Sequence, residues 1–275
     1  MIEISFWSWL MAGVVFLAGA SLGSFLNVVL YRHKKGENWV LDRSHCENCG
    51  YKIAWYDNIP LLSWVILRGK CRACQEKISL IHPVMELLMG MLFVWWLMIG
   101  VWFFQLTREP LNFIQPLYWL GVGVMLVTIV VVDFREKIIP NTVNLFLLFW
   151  TLGYRLLLSC LGAQRWEDFG VAVICAVVFG SLFWLVHVLA EWIYGQDAFG
   201  MGDVKFIVIM GLLLGWPRIL VALMVAFGVG SVVGIGLILA GKGGRKMQLA
   251  LGPFLVVGTV VALIYGFNIW QWFIG

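Results

Sequence analysis

Charge is what this chain has least of. Only 12% of its 275 residues are Asp, Glu, Lys or Arg, about half the share usual in a soluble domain. That scarcity excludes an ordinary soluble globule. With 62% hydrophobic residues and a mean hydropathy of +0.92, the chain reads as a polytopic membrane protein. No basic residue precedes the first apolar run, and no small-residue cleavage site follows it. That run is therefore expected to stay as a helix rather than to leave as a signal peptide. Histidine is also sparse, with four in all. His187 lies in an apolar run with no visible partner, and His45 reads as a surface residue. The net charge of +4 matters less than where the charges sit, and no nucleic-acid partner is expected. The 16 Trp and 19 Phe suit lipid-facing and interfacial positions.

What is present is a series of long apolar runs. A transmembrane helix needs about 20 apolar residues. Spans are expected over 5–30, 83–104, 117–133, 138–160, 170–193, 204–216, 218–240 and 249–272, about eight in all. The run after Asp203 is short, about 20 Å at 1.5 Å per residue, and either tilts little in a thinned bilayer or does not cross fully. Trp216-Pro217-Arg218 reads as a tight turn or a kink. Nine basic residues crowd the stretch 31–82: Arg32, Lys34, Lys35, Arg43, Lys52, Arg68, Lys70, Arg72 and Lys77. The positive-inside rule places that loop in the cytoplasm. Arg135, Lys137, Lys205, Lys242, Arg245 and Lys246 then fall on the same side. Arg108, Arg155, Arg165 and Arg218 fall outside. The expected fold is an all-α membrane helix bundle with a small zinc-ribbon-like cytoplasmic loop domain.

That loop carries Cys46-Glu47-Asn48-Cys49 and Cys71-Arg72-Ala73-Cys74. Two C-x-x-C knuckles offer four thiolates, which complete a tetrahedral zinc set with no open position for chemistry. Disulfides are disfavoured in a reducing cytoplasm, and an iron–sulfur cluster is the lesser alternative. A loop of about 50 residues with little apolar content needs such a staple. Cys160 and Cys175 lie in apolar runs and read as small packing residues. Gly19 with Gly23, and Gly230 with Gly234, have the spacing of close helix packing.

Two acids stand at the ends of apolar runs. Asp203 sits in Gly200-Met201-Gly202-Asp203-Val204-Lys205, and Asp133 closes the run Leu117–Val132. An acid at the mouth of a hydrophobic segment is costly unless water, a partner or a reaction uses it. The alternating topology puts both at the cytoplasmic face. They read either as a catalytic pair or as two ordinary helix-boundary acids. Lys205 is either a positive-inside anchor or a partner of an ionised aspartate. Glu86, one turn inside the span after the cysteine loop, is a functional candidate on the same intramembrane argument; Glu191 also lies near a span.

The chain resembles the type IV prepilin peptidases, bifunctional leader peptidase/N-methyltransferases. The resemblance runs through Gly23-Ser24-Phe25-Leu26-Asn27, the paired Cys-x-x-Cys with Tyr56-Asp57-Asn58-Ile59-Pro60 between them, and Pro83-Val84-Met85-Glu86-Leu87-Leu88 with Gly90. It continues through Asp133 with Ile139-Pro140, Gly200-Met201-Gly202-Asp203, and Gly252-Pro253-Phe254. It departs at Asn141, where the family has Asp, at Ile81-His82-Pro83 in place of Arg-Tyr-Pro, and at Leu251 in place of Phe.

The resemblance implies a GxGD-type aspartic endopeptidase of the bacterial inner membrane, with Asp133 and Asp203 catalytic and Gly200, Gly202 and Lys205 supporting them. It implies prepilin and pseudopilin substrates, each a basic leader joined to an apolar helix in the lipid bilayer. It further implies methylation of the newly exposed amine by S-adenosylmethionine, an activity of the N-terminal half to which Glu86 and Gly90 belong. The implied division is a first helix over 1–31, a four-cysteine loop domain over 32–82 and a peptidase domain over 83–275. A peptidase without methylation, an ion-coupled transporter using intramembrane acids, and a non-catalytic assembly factor are the competing readings.

Overall fold

A computed structural model describes residues 6–35, 44–46, 48–100, 111–194, 200–241 and 250–274. Arg43, Glu47, Arg108, Lys242, Arg245 and Lys246, and the expected end of the second span (101–104), lie outside the described residues. Among the described residues the chain is helical, with two isolated antiparallel bridges, His45 with Lys52 and Lys70 with Lys77. The helices are α1 (Phe6–Lys35), α2 (Leu62–Ile66), α3 (Ile81–Trp95), α4 (Leu111–Glu136), α5 (Asn141–Cys160), α6 (Trp166–Tyr194), α7 (Met201–Leu214), α8 (Arg218–Leu239) and α9 (Gly252–Ile274). A π turn, Trp96–Gly100, extends α3.

Among the described residues, seven helices are long and apolar enough to cross a membrane: α1, α3 with its π turn, α4, α5, α6, α8 and α9. The protein is a multi-pass membrane protein. The eighth expected run behaves differently. It forms α7, a 14-residue helix, about 21 Å long and short of a full crossing. The turn reading holds at its end. Gly215, at φ 65°, closes α7, because glycine alone enters that left-handed region freely. Trp216 and Pro217 then lead straight into α8.

The chain divides into two compact units, Met1–Val131 and Val132–Gly275. In the first, α1 packs along α3. A Cβ on Gly19 would lie 2.5 Å from the Met89 carbonyl, and one on Gly23 2.9 Å from that of Met85. This is the close approach that small residues permit in lipid. Met85, Met89, Val124 and Val131 form the buried centre, with Leu22, Leu26 and Leu88 packed on it.

In the second unit α7 is the element that the others enclose. Val204, Phe206, Ile207 and every residue from Ile209 to Leu214 are buried, as expected for a helix apolar on all sides. It packs against α5, α6, α8 and α9. Ala172, Ala176 and Leu212 are buried together, supported by Leu148, Leu152 and Val208. The effect is to fix the N-terminal turn of α7, and with it Asp203, in a rigid frame.

Candidate functional site

The four loop cysteines converge. The Sγ atoms of Cys46, Cys49, Cys71 and Cys74 all lie within 4.8 Å of one another. Those of Cys46 and Cys74 are 3.8 Å apart, the edge of a tetrahedron of sulfurs about 2.3 Å from zinc. The donor set therefore fits a closed tetrahedral metal site. The two knuckles are built alike. Cys46 N–H donates to the Tyr51 carbonyl, and Gly50 N–H donates to the Cys46 carbonyl. Cys71 N–H likewise donates to Glu76, and Gln75 N–H to Cys71. Gly50 (φ 69°) and Gln75 (φ 58°) occupy the same left-handed position in the two copies. Backbone N–H groups of Cys74 and Ala73, aimed at the Cys71 sulfur, hold that thiol down to about 7, toward the thiolate a metal needs.

Between the knuckles, Asp57 accepts two bonds from Arg72, Nε at 2.7 Å and Nη2 at 2.6 Å. This fork holds the Asp57 carboxyl below the usual range and ties the intervening segment to the second knuckle.

Glu86 and Gly90 lie on α3. Glu86 is buried and accepts the Leu61 N–H at 2.7 Å. A Cβ on Gly90 would meet the Phe16 ring at 2.5 Å. Glu86 thus anchors the Leu61 backbone, and Gly90 makes room for the Phe16 ring.

Both aspartates lie in the second unit. Asp133, in the last turn of α4, is 3% exposed, and its charge is felt at Asp203. Three glycines make room. Gly252 N–H donates to Asp133 Oδ2 at 2.8 Å, and a Cβ on Gly252 would lie 2.7 Å from that oxygen. A Cβ on Gly200 would lie 3.0 Å from Asp203 Oδ2, and one on Gly202 3.2 Å from the Ile139 backbone. The spacing Gly-x-Gly-Asp thus has a steric cause: one glycine admits the carboxyl and the other admits a neighbouring chain.

The first turn of α5 grips the same motif from the side. Asn144 Nδ2 donates to the Gly202 carbonyl at 3.1 Å, and Lys205 Nζ donates to Asn141 Oδ1 at 2.7 Å. Asn141 and Asn144, three apart on one helix face, thus hold Gly202 and Lys205, three apart on the other. Asn141 therefore keeps an acceptor for Lys205 although it lacks the acid's charge. Asn144 is 3% exposed and its Oδ1 has no partner. Sequence reasoning missed Asn144 and gave no task to the Gly252 N–H. A polar amide in an apolar run, one turn after Asn141, was the available signal for the first. A backbone donor leaves no signal of its own.

The architecture is that of a membrane-embedded helical protein with a four-cysteine metal-type site in one unit and a glycine-cradled aspartate pair in the other. Residues 17–99 match the Bacterial Peptidase A24 N-terminal domain, and residues 119–235 match the Type IV leader peptidase family. A prepilin leader peptidase/N-methyltransferase of Aeromonas hydrophila is 30% identical over 97% of this chain and 94% of its own length. One of Myxococcus xanthus is 33% identical over 87% of this chain and 67% of its own, and one of Pseudomonas putida 28% over 92% and 90%. No solved structure matches. The chain belongs to the type IV leader peptidase family.

Proposed function

We propose that Asp133 and Asp203 are the catalytic pair of a prepilin leader peptidase, and that Gly200, Gly202 and Lys205 hold them in place. The chain acts as a prepilin leader peptidase and N-methyltransferase, the activities for which its relatives are named. What supports the residue assignment is that two helix-end carboxylates, 70 positions apart in the chain, lie in one unit, with the charge of Asp133 felt at Asp203 and glycines making room beside each.

A catalytic pair of carboxylates shares one proton, because like charges a few ångströms apart do not both ionise cheaply. The ionised member takes a proton from water, which attacks the scissile carbonyl. The protonated member polarises that carbonyl and then protonates the leaving amine. The pair acts and titrates jointly. The Gly252 N–H orients the Asp133 carboxylate within it.

The substrate reading follows from charge. A basic leader stays on the cytoplasmic side, so the junction of leader and apolar helix lies at that interface. The basic loop 31–82 supports a cytoplasmic placement of the cysteines and aspartates, in a bacterial inner membrane. Prepilins and pseudopilins are the substrates of that chemistry. Zinc is the metal that the four sulfurs suit, and it would staple the loop without taking part in a bond change. S-adenosylmethionine would supply the methyl group for the exposed amine. Glu86 and Gly90, in the N-terminal half to which that step is assigned, are the residues proposed to serve the methyl donor. The division into a first helix (1–31), loop domain (32–82) and peptidase domain (83–275) belongs to the same proposal.

The test is a cleavage assay in lipid with a synthetic prepilin. Asp133→Asn and Asp203→Asn each abolish leader removal, and wild type with S-adenosylmethionine gives a product heavier by one methyl group. Cleavage surviving either substitution would remove that aspartate from the reaction.

A further inference from the structure

The loop between α1 and α3 carries a face that neither the metal site nor the aspartates use. Helix α2 has five residues. Its inward side is Ser63, whose hydroxyl accepts the Ile59 N–H at 2.9 Å and donates to the Tyr56 carbonyl at 3.1 Å. The opposite side presents Leu62, Val65 and Ile66, which are 51%, 64% and 63% exposed. Positions i, i+3 and i+4 share one helix face, so the three form a single apolar stripe. In water such a stripe forgoes the hydrophobic gain of burial. A loop stapled by four sulfurs has no folding need for it.

The place of α2 decides what covers the stripe. Leu61, its N-cap, donates its N–H to Glu86 Oε2 at 2.7 Å. Glu86 lies five residues inside the membrane span that starts at Ile81, about 7.5 Å along the helix axis. The carboxylate therefore holds α2 beside the span, not out in the aqueous phase. The attachment is firm enough to sustain strain. Leu61 sits at φ 61°, ψ −49°, a backbone setting that is strained for a leucine. On α3, Val84 and Leu87, which flank Glu86, are 44% and 41% exposed, as lipid-facing side chains are. Helices that lie in a membrane interface bury their apolar face about 5–10 Å deep, comparable with the about 7.5 Å between Glu86 and the start of α3. Arg68 and Lys70, both exposed just after α2, have long stems that reach headgroup phosphates from such a depth.

We infer that Leu62, Val65 and Ile66 form a lipid-docking face, by which α2 lies in the headgroup–acyl boundary of the bilayer and moors the cysteine loop to the membrane surface. This does not depend on the aspartate assignment. It places the metal-stapled loop beside the surface from which a transmembrane substrate presents its end.

The test uses the full-length protein in phosphatidylcholine–phosphatidylglycerol nanodiscs. An environment-sensitive fluorescent amino acid is introduced at Val65 by suppression, which leaves the cysteines intact. A second probe at Ile66 covers the case in which the first disturbs folding, and a probe at the exposed Glu76 serves as the aqueous reference. Lipids brominated near the head of the acyl chain are expected to quench the Val65 and Ile66 probes about twofold or more, and the Glu76 probe little. Aqueous iodide is expected to show the reverse order. Probes on α2 that follow the Glu76 pattern would overturn the inference. So would α2 probes that become shielded only when prepilin is added, since the face would then belong to the substrate helix.

Discussion

Gly252 donates its backbone N–H to the Asp133 carboxylate at 2.8 Å across 119 residues of chain. The contact exists because position 252 has no side chain. A Cβ there would stand 2.7 Å from Oδ2 and 3.0 Å from the carboxyl carbon. Gly252→Ala must push the carboxylate aside, and a displacement of about 1 Å at a reacting group costs about a hundredfold in rate. Leader cleavage by Gly252→Ala in lipid is therefore expected to fall by about that factor. Its folded yield and thermal midpoint should stay near wild type, because the substitution meets a side chain at the bundle's end and not its core.

Asn144 makes a sharper separation between stability and activity. Its amide holds the Gly202 carbonyl next to Asp203, while its Oδ1 is buried and unpaired. An orphaned buried oxygen costs about 1–3 kcal/mol. Asn144→Leu, which has the same number and branching of side-chain heavy atoms, removes both the bond and that penalty. The thermal midpoint is expected to hold or rise, while kcat for leader removal falls about tenfold or more and the apparent KM changes little. A lower midpoint with kcat intact would mark Asn144 as merely structural.

The metal site predicts its own stoichiometry. Purified protein is expected to carry one zinc per chain, read by elemental analysis. Cys71→Ser lowers that occupancy and makes residues 44–80 quickly cleaved by added protease. In the same preparation, methylated product should fall more than cleaved product, since the loop belongs to the unit that excludes the aspartates. Equal zinc content in Cys71→Ser and wild type would dismiss the four-sulfur centre.

The Asp57–Arg72 fork carries a pH signature. The Arg72 hydrogen bonds hold the Asp57 carboxyl below its ordinary 3.8. A depressed folded value means that the stabilisation is fully present above the unfolded pKa and is lost as pH falls through the folded one. Stability of the loop relative to Arg72→Gln is therefore constant near neutrality and shrinks below about pH 4. A carboxyl NMR titration of Asp57 checks this directly: the midpoint lies below 3.8 in wild type and moves back up in Arg72→Gln.

Much of this protein is written in short-range pattern. Apolar runs of 20 or more residues specify membrane helices wherever they occur, because the bilayer leaves the backbone no other way to satisfy its hydrogen bonds. Two Cys-x-x-Cys pairs specify a four-sulfur centre through the reach of a tight turn. The pattern Gly-x-Gly-Asp marks an acid against a close backbone approach. These features need only neighbours in the chain, and the structure repeats them at the same residues.

What the tertiary structure alone decided involves partners far apart in sequence. That α7 stops at Leu214 and is enclosed by other helices follows from Gly215 and from packing on α5, α6, α8 and α9; a hydropathy pattern does not distinguish an enclosed helix from a spanning one. That Asp133 faces Gly252, that Asn144 grips Gly202, and that Glu86 is spent on the Leu61 N–H are matters of three-dimensional register. Two of the three involve a backbone N–H and the other a backbone carbonyl. Every residue but proline has both groups, so composition carries no trace of which ones a fold will use.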